Sequence, residues 1–202
     1  AVTALGALRD ANEEIDLDER RLVRIAVMPM LAITWLAPLM LKHGKENPRL
    51  RFEVQTIRAS DAPRSLECDL IIHYGPSPQE GSSTAQVFSD RLYAVGAPDF
   101  VKRYGPFRSM EDFLKVPLVR YSLLTWPTWM RSAFGHSVDP QGSYFDDAMT
   151  VLEAVSEGLG LTVITGVASD AMLRSGRLVL AHEHGAEGRD YHATLTDTGS
   201  VK

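Results

Sequence analysis

Between Leu22 and Gly75 the apolar positions change period three times, and each change marks an element. Leu22, Val23, Ile25, Ala26, Val27 and Met28 make an apolar run of strand length, interrupted only by Arg24. From Met30 to Lys45 the period is helical, with Leu31, Trp35, Leu36, Leu39 and Met40 on one face. Pro38 lies inside that stretch and removes a backbone donor, which predicts a kink or a restart. Asn47 followed by Pro48 predicts its end, because a residue before proline resists the α conformation. Residues 51–57 then alternate, Phe52, Val54 and Thr56 against Glu53 and Gln55, as in a strand covered on one face. After a short helical connection at 61–66, residues 68–75 form a third, compact apolar strand. Strand, crossover, strand, crossover, strand in so little sequence is a parallel α/β layout. Open sheets of that kind place ligands outside the carboxyl ends of their strands.

The remaining pattern continues in short elements. Pro76, Pro78 and Gly81 mark a surface loop, and the chain extends again from Gln86 to Gly96. Helices are expected at 98–103 and 109–114, the second opened by Ser109 with an acid at Asp112. A short strand at 117–121 precedes an aromatic-rich helix at 125–134. Residues 143–145 read as extended, and Asp146 is expected to cap a helix over 147–157. Gly158 and Gly160 stop that helix and turn the chain into an apolar strand at 161–164. A helix at 167–174, a strand at 178–181 and a return strand at 189–196 complete the pattern. Residues 1–20 differ from the rest: Leu5, Leu8, Asn12 and Ile15 follow a heptad seam in an otherwise polar helix. That seam suits either pairing with a second helix or packing on the chain's own domain.

Composition narrows the function classes. A chain of 202 residues, 45% hydrophobic, buries enough core for one large domain or two small lobes. Its 26 acidic and 21 basic residues give a net charge of −5. No segment clusters Lys and Arg without interleaved acids, so the chain has no footprint for a phosphate backbone and is not expected to bind DNA by itself. Cys68 is the single cysteine, which excludes an internal disulfide; at the start of a buried strand it reads as a core thiol. No apolar run approaches the roughly 20 residues of a membrane-spanning helix, and the first residues lack a signal-peptide pattern. A cytoplasmic setting is the expectation.

No constellation for catalysis emerges. His182 and His184 are two apart, but no Cys or carboxylate pattern joins them into a metal set. Asp146 and Asp147 form a carboxylate pair that a helix cap explains without chemistry. Trp126 and Trp129 lack the basic groove of a nucleic-acid stacking platform and read as core and wall. A nucleophile elbow, Gly-x-Ser-x-Gly, occurs nowhere, and Gly158 with Gly160 is too short for a dinucleotide loop. Neither a cofactor nor a metal is expected.

Several marks recur in a fixed order: Met28-Pro29, then Trp35, Leu36 and Pro38, then Asp69 through His73, Tyr74 and Gly75. Ala97-Pro98, Trp126 with Trp129, Phe145 with Asp146 and Asp147, Gly158 with Gly160, and Leu173, Gly176, Leu178 and Val179 follow. Together they resemble the regulatory domain of LysR-type transcriptional regulators, in the branch containing glycine-cleavage activators. The resemblance implies an α/β, two-lobed fold of the type 2 periplasmic-binding-protein kind, with an effector cleft between the lobes. It assigns residues 1–20 to the end of a linker helix, 21–90 to lobe I, 91–182 to lobe II and 183–202 to a return towards lobe I. The first crossing between lobes then falls near 88–92. It further implies a non-enzymatic sensor of a small-molecule effector, with DNA contacted only through a winged helix-turn-helix missing from this chain, and no membrane partner. A homodimer pairing residues 35–45 of one copy with 147–157 of the other is implied, and a tetramer is open to the longer protein. The alternative is a solute-binding protein of a transport system with the same bilobal fold.

Three departures bear on the ligand. Where such domains often carry an anion-contacting Ser after the first strand, this chain has Met28 or Met30; their Arg before Tyr-Gly is His73; and the crossover before Asp69 is short. Serine and guanidinium are good carboxylate handles, whereas thioether and imidazole leave a more apolar, adaptable surface. The expected effector-contacting residues are Met28, Met30, Arg58, His73, Tyr74, Trp126, Phe145 and Thr165, with Arg58 as the cation at the end of the second strand. The effector expected is a small, partly apolar molecule with one weakly anionic end.

Overall fold

The computed structural model describes residues 22–57, 67–75, 83–123 and 125–196. The expected helix at 1–20, the connection at 61–66 and Arg58 lie outside the described residues. The chain divides into two units: Ala1–Ser89 with Arg189–Lys202, and Asp90–Gly188.

In the first unit, β1 (Leu22–Val27) runs parallel to β2 (Arg51–Thr56) and to β3 (Leu70–Tyr74). The parallel layout expected from the hydrophobic pattern is therefore present. Beyond β3 the sheet turns antiparallel, through the last strand β10 (Tyr191–Leu195) to β4 (Thr84–Phe88), in the order β2-β1-β3-β10-β4. Ile25, Ala26, Val27, Ile71 and Ile72 are buried, because β1 and β3 occupy the middle of the sheet and are covered on both faces. The edge strand β2 leaves Val54 partly exposed. Asp69 fastens β1 to β3 twice, since its amide donates to the Arg24 carbonyl and its carboxylate accepts from the Arg24 amide at 2.9 Å.

Helix α1 follows β1 as one run: Pro29–Leu31 turn as α, Ala32–Leu36 as π and Ala37–Glu46 as α again. Pro38 does not break it. A proline in a regular helix would strike the carbonyl four residues back. The preceding turn instead widens, with the Ala37 amide donating to the Ala32 carbonyl five residues back. Leu31 and Leu36 are buried, and the Trp35 ring meets Phe88 at 5.6 Å.

In the second unit, β5 (Arg91–Gly96) lies between two antiparallel neighbours, β8 (Thr162–Thr165) and β9 (Val179–Glu187). A short parallel pair, β6 (Arg120–Tyr121) and β7 (Tyr144–Phe145), adds a second small sheet. Helices α2 (Pro98–Tyr104), α3 (Met110–Leu114), α4 (Trp126–Phe134), α5 (Ala148–Ser156) and α6 (Gly166–Arg174) complete the unit. Phe113, Trp126, Trp129, Met130, Leu152 and Leu161 are its largest buried side chains.

Three local expectations meet the structure here. Ser109 and Asp112 form a reciprocal capping box at the start of α3. The cap of α5 is Asp147, not Asp146: its Oδ1 accepts the Thr150 amide at 2.8 Å. Of two adjacent acids, only the one three residues before Thr150 reaches the right amide. Gly160 turns the chain at φ +157°, and a Cβ there would lie 2.3 Å from the Pro117 carbonyl oxygen, so only glycine fits. Strand β9 is longer than expected, reaching Glu187 through an irregularity that moves the register from Val95–Leu180 to Tyr93–Gly185.

Candidate functional site

Four of the expected site residues lie in the first unit. Val27 is paired with Ile72, so Met28 and His73 follow one residue on, at the carboxyl ends of two adjacent parallel strands. Met28 caps the start of α1, and Met30 lies in its first turn; both are buried. The Met30 carbonyl accepts the Thr34 hydroxyl at 3.0 Å. Thioethers thus fill the place where an anion-binding helix start would present polar side chains.

His73 is half-buried and held in a chain of hydroxyls. Its Nε2 lies 2.9 Å from Thr194 Oγ1, which lies 2.9 Å from Thr84 Oγ1. The His192 ring stacks on it at 5.7 Å. The His73 pKa is lowered to about 4, chiefly by burial and then by the neighbouring His192, with a hydrogen bond to the Gly75 backbone opposing the shift. His73 is therefore neutral at neutral pH and is no electrostatic substitute for the arginine of the family motif. His192 itself was not expected from the sequence. Its Nδ1 is covered and has no hydrogen-bond partner among the described residues. The available signal was the Tyr191-His192 pair, which lies opposite Tyr74 and His73 across the sheet. Tyr74 accepts the Arg189 amide at its hydroxyl, at 2.9 Å, and packs against Tyr191 at 5.0 Å.

Three expected residues lie in the second unit. Trp126 is buried and donates its indole Nε1–H to the Val119 carbonyl at 3.0 Å. Phe145 is half-buried in β7, paired with Tyr121. Tyr121 is pushed up to about 12, first by burial and then by the charges of Asp147 and Asp146. Thr165 is buried at the end of β8, with its side chain hydrogen-bonded to Asp90.

Asp90, missed at the sequence level, organises that end of the unit. Its carboxylate accepts the amides of Arg91 at 2.7 Å, Gly166 at 3.0 Å and Val167 at 3.2 Å, and its carbonyl accepts the Gly188 amide at 3.1 Å. The first turn of α6 is thus already supplied with a carboxylate from within the chain. Burial nevertheless raises the Asp90 pKa, against the lowering effect of those bonds. A small residue limits the space: a Cβ on Gly166 would lie 2.9 Å from Asp90 Oδ1.

Among the described residues, no group of three or more His, Cys, Asp or Glu side chains could hold a metal ion. His184 Nε2 instead lies 2.8 Å from the Ser132 hydroxyl, and the His184 amide donates to Nδ1 of His182. Cys68 is buried, and burial followed by the charge of Asp69 raises its pKa, the opposite of an activated thiolate. No helix among the described residues is long and apolar enough to cross a membrane.

Comparison with known proteins agrees with this architecture. The model of the LysR substrate binding domain matches residues 17–196. The glycine cleavage system transcriptional activator of Escherichia coli is 25% identical over 157 residues, which are 77% of this chain and 52% of that protein. The chain spans about half the length of the curated relatives it matches. The effector domain of the transcriptional regulator AmpR of Pseudomonas aeruginosa superposes with a TM-score of 0.77 at 18% identity, covering 88% of this chain and 86% of that one. The CrgA regulatory domain of Neisseria meningitidis gives 0.76 at 14% identity, covering 91% and 92%. The fold is the two-lobed, periplasmic-binding-protein-like α/β fold of these effector domains. With the family model spanning most of its length, the chain belongs to the LysR substrate binding domain family.

Proposed function

We propose that this chain is the effector-sensing part of a LysR-type transcriptional regulator, without enzymatic activity of its own. The observation that carries the reading is family membership across residues 17–196, with relatives that are transcriptional activators. A solute-binding protein of a transport system is not favoured by those relatives. DNA is contacted through a winged helix-turn-helix outside this chain, and the protein works in the cytoplasm.

The effector is a small, partly apolar molecule with one weakly anionic end. Its contacts are drawn from Met28, Met30, Arg58, His73, Tyr74, Trp126, Phe145 and Thr165. Buried thioethers at the start of α1 and a neutral His73 support an apolar ligand over a simple carboxylate. Trp126 at the start of α4 and Thr165 at the end of β8 are buried and hydrogen-bonded within the chain, so they would meet an effector as fixed wall. Arg58 supplies the charge. A thermal-shift screen of aromatic acids, amino acids and neutral aromatics tests this, since a ligand at 100 times its Kd adds about 2.7 kcal/mol. Arg58→Ala abolishes the shift from an anionic ligand if Arg58 meets it; an unchanged shift removes Arg58 from the site.

The chain acts as a homodimer through α1 and α5, the segments 35–45 and 147–157. An apolar stripe on α1 supports this: Ile33 is 59% and Leu41 67% exposed, one face along the helix with Ala37 between them. An isologous contact repeats each such residue twice.

A further inference from the structure

Strand β9 leaves its register with β5 between Leu180 and Gly185, and His182 and His184 lie inside that irregular stretch. The His184 amide donates to the Nδ1 of His182 at 2.9 Å, so an imidazole supplies the acceptor for a bulge amide. That bond requires a bare lone pair on Nδ1 and therefore a neutral ring carrying its proton on Nε2. The ring lies among Trp129 at 5.6 Å, Phe134 at 5.5 Å and Phe113 at 6.3 Å. The bulge is joined to α4 at two further points: Trp129 Nε1–H donates to the His184 carbonyl at 3.3 Å, and Ser132 Oγ lies 2.8 Å from His184 Nε2. The next carbonyl but none is occupied too, since Arg91 donates to Gly185.

We propose that His182 is a proton-operated latch on the β9 bulge. A proton taken from solvent onto Nδ1 removes the acceptor of the His184 amide and sets two N–H donors against one another across that 2.9 Å contact. The ring then leaves and the stretch 181–184 loosens from α4. The stretch so released lies within β9, whose last residues Gly185, Ala186 and Glu187 stay paired with β5. The charges facing His182 are few. His184 and Glu183 bear on it from its own strand, with opposite signs. Among the described residues, helix α4 contributes Trp129 and Phe134, and α3 contributes Phe113, none of them charged. Arg91 of β5 is engaged by the Gly185 carbonyl. Burial, the largest influence, moves the His182 pKa below its ordinary value, in agreement with the geometry. The neutral, latched form therefore holds above about pH 6.5 and is lost as pH falls through the lowered value.

A pH titration of the whole 202-residue chain followed by the backbone amide resonances tests this. The His184 amide is expected to move in a single transition with a midpoint below about 6.5, and amides 181–185 to lose protection from hydrogen exchange at least about tenfold over the same range. His182→Gln, whose side-chain oxygen accepts without titrating, is expected to abolish both changes; His182→Phe is expected to leave exchange fast at every pH. A His184 amide that stays fixed while the His182 ring titrates would overturn the proposal. So would a transition that survives in His182→Gln.

Discussion

At the scale of single residues, the imidazoles and one carboxylate carry the testable chemistry. His73 has its pKa lowered to about 4 by burial. A group lowered in the folded state contributes stability that is fully present above its unfolded value of about 6.5 and is lost as pH falls towards the folded one. Unfolding free energy is thus expected to decline from about pH 6.5 down to about 4, and His73→Gln to flatten that slope. Ring NMR that places His73 near 6.5 would contradict the account. Asp90 makes the opposite kind of demand, because its loss strands donors. Asp90→Ala leaves the amides of Gly166 and Val167 without their acceptor, and about 1–3 kcal/mol of stability is expected to disappear in urea unfolding. Neither role was legible from the sequence. His73 was visible as a departure from a motif, but its neutrality depends on burial and on His192, which lies about 120 residues further along the chain. Asp90 looks like an ordinary turn residue until α6 is brought against it.

At the scale of elements, the sequence was most informative where one local signal had no rival. The capping box at Ser109 and Asp112 and the glycine turn at 158–160 are local, so spacing alone predicts them. The π turn before Pro38 is local too, but proline offers a break, a kink or a widened turn, and burial of Leu31 and Leu36 decides for continuity. Strand β9 runs past the 181 expected from the apolar pattern, through His182, Glu183 and His184, where side-chain and tryptophan bonds hold it. The cap of α5 distinguishes two adjacent acids by one position. Asp147→Ala is expected to cost about 1 kcal/mol, a fall of roughly 2–4 °C in Tm. Asp146→Ala, which leaves that cap in place, is expected to cost less. Equal losses would remove Asp147 from its role at the helix start.

At the scale of the whole molecule, fold class followed from the order of strands and crossovers in the first third of the chain, and the parallel pairing of β1, β2 and β3 has that order. What the pattern could not reveal is that the return strand enters the first sheet between β3 and β4, because an antiparallel insertion of that sequence separation leaves no periodic trace. Assembly belongs to this scale as well. If α1 forms half of an isologous contact, Leu41→Glu places two charges in the interface and is expected to give monomers at tens of micromolar in sedimentation, where the unaltered chain gives dimers. An unaltered chain that sediments only as monomer at that concentration would count against the dimer.

The claim on which the rest depends is that this domain binds a small molecule and does not transform it. Thermal shift across aromatic acids, amino acids and neutral aromatics, with NMR of each compound before and after incubation, addresses it most directly. A saturable rise in Tm from at least one class, with the ligand recovered chemically unchanged, is the predicted result. A flat response across all three classes, or conversion of the ligand into a product, would contradict it.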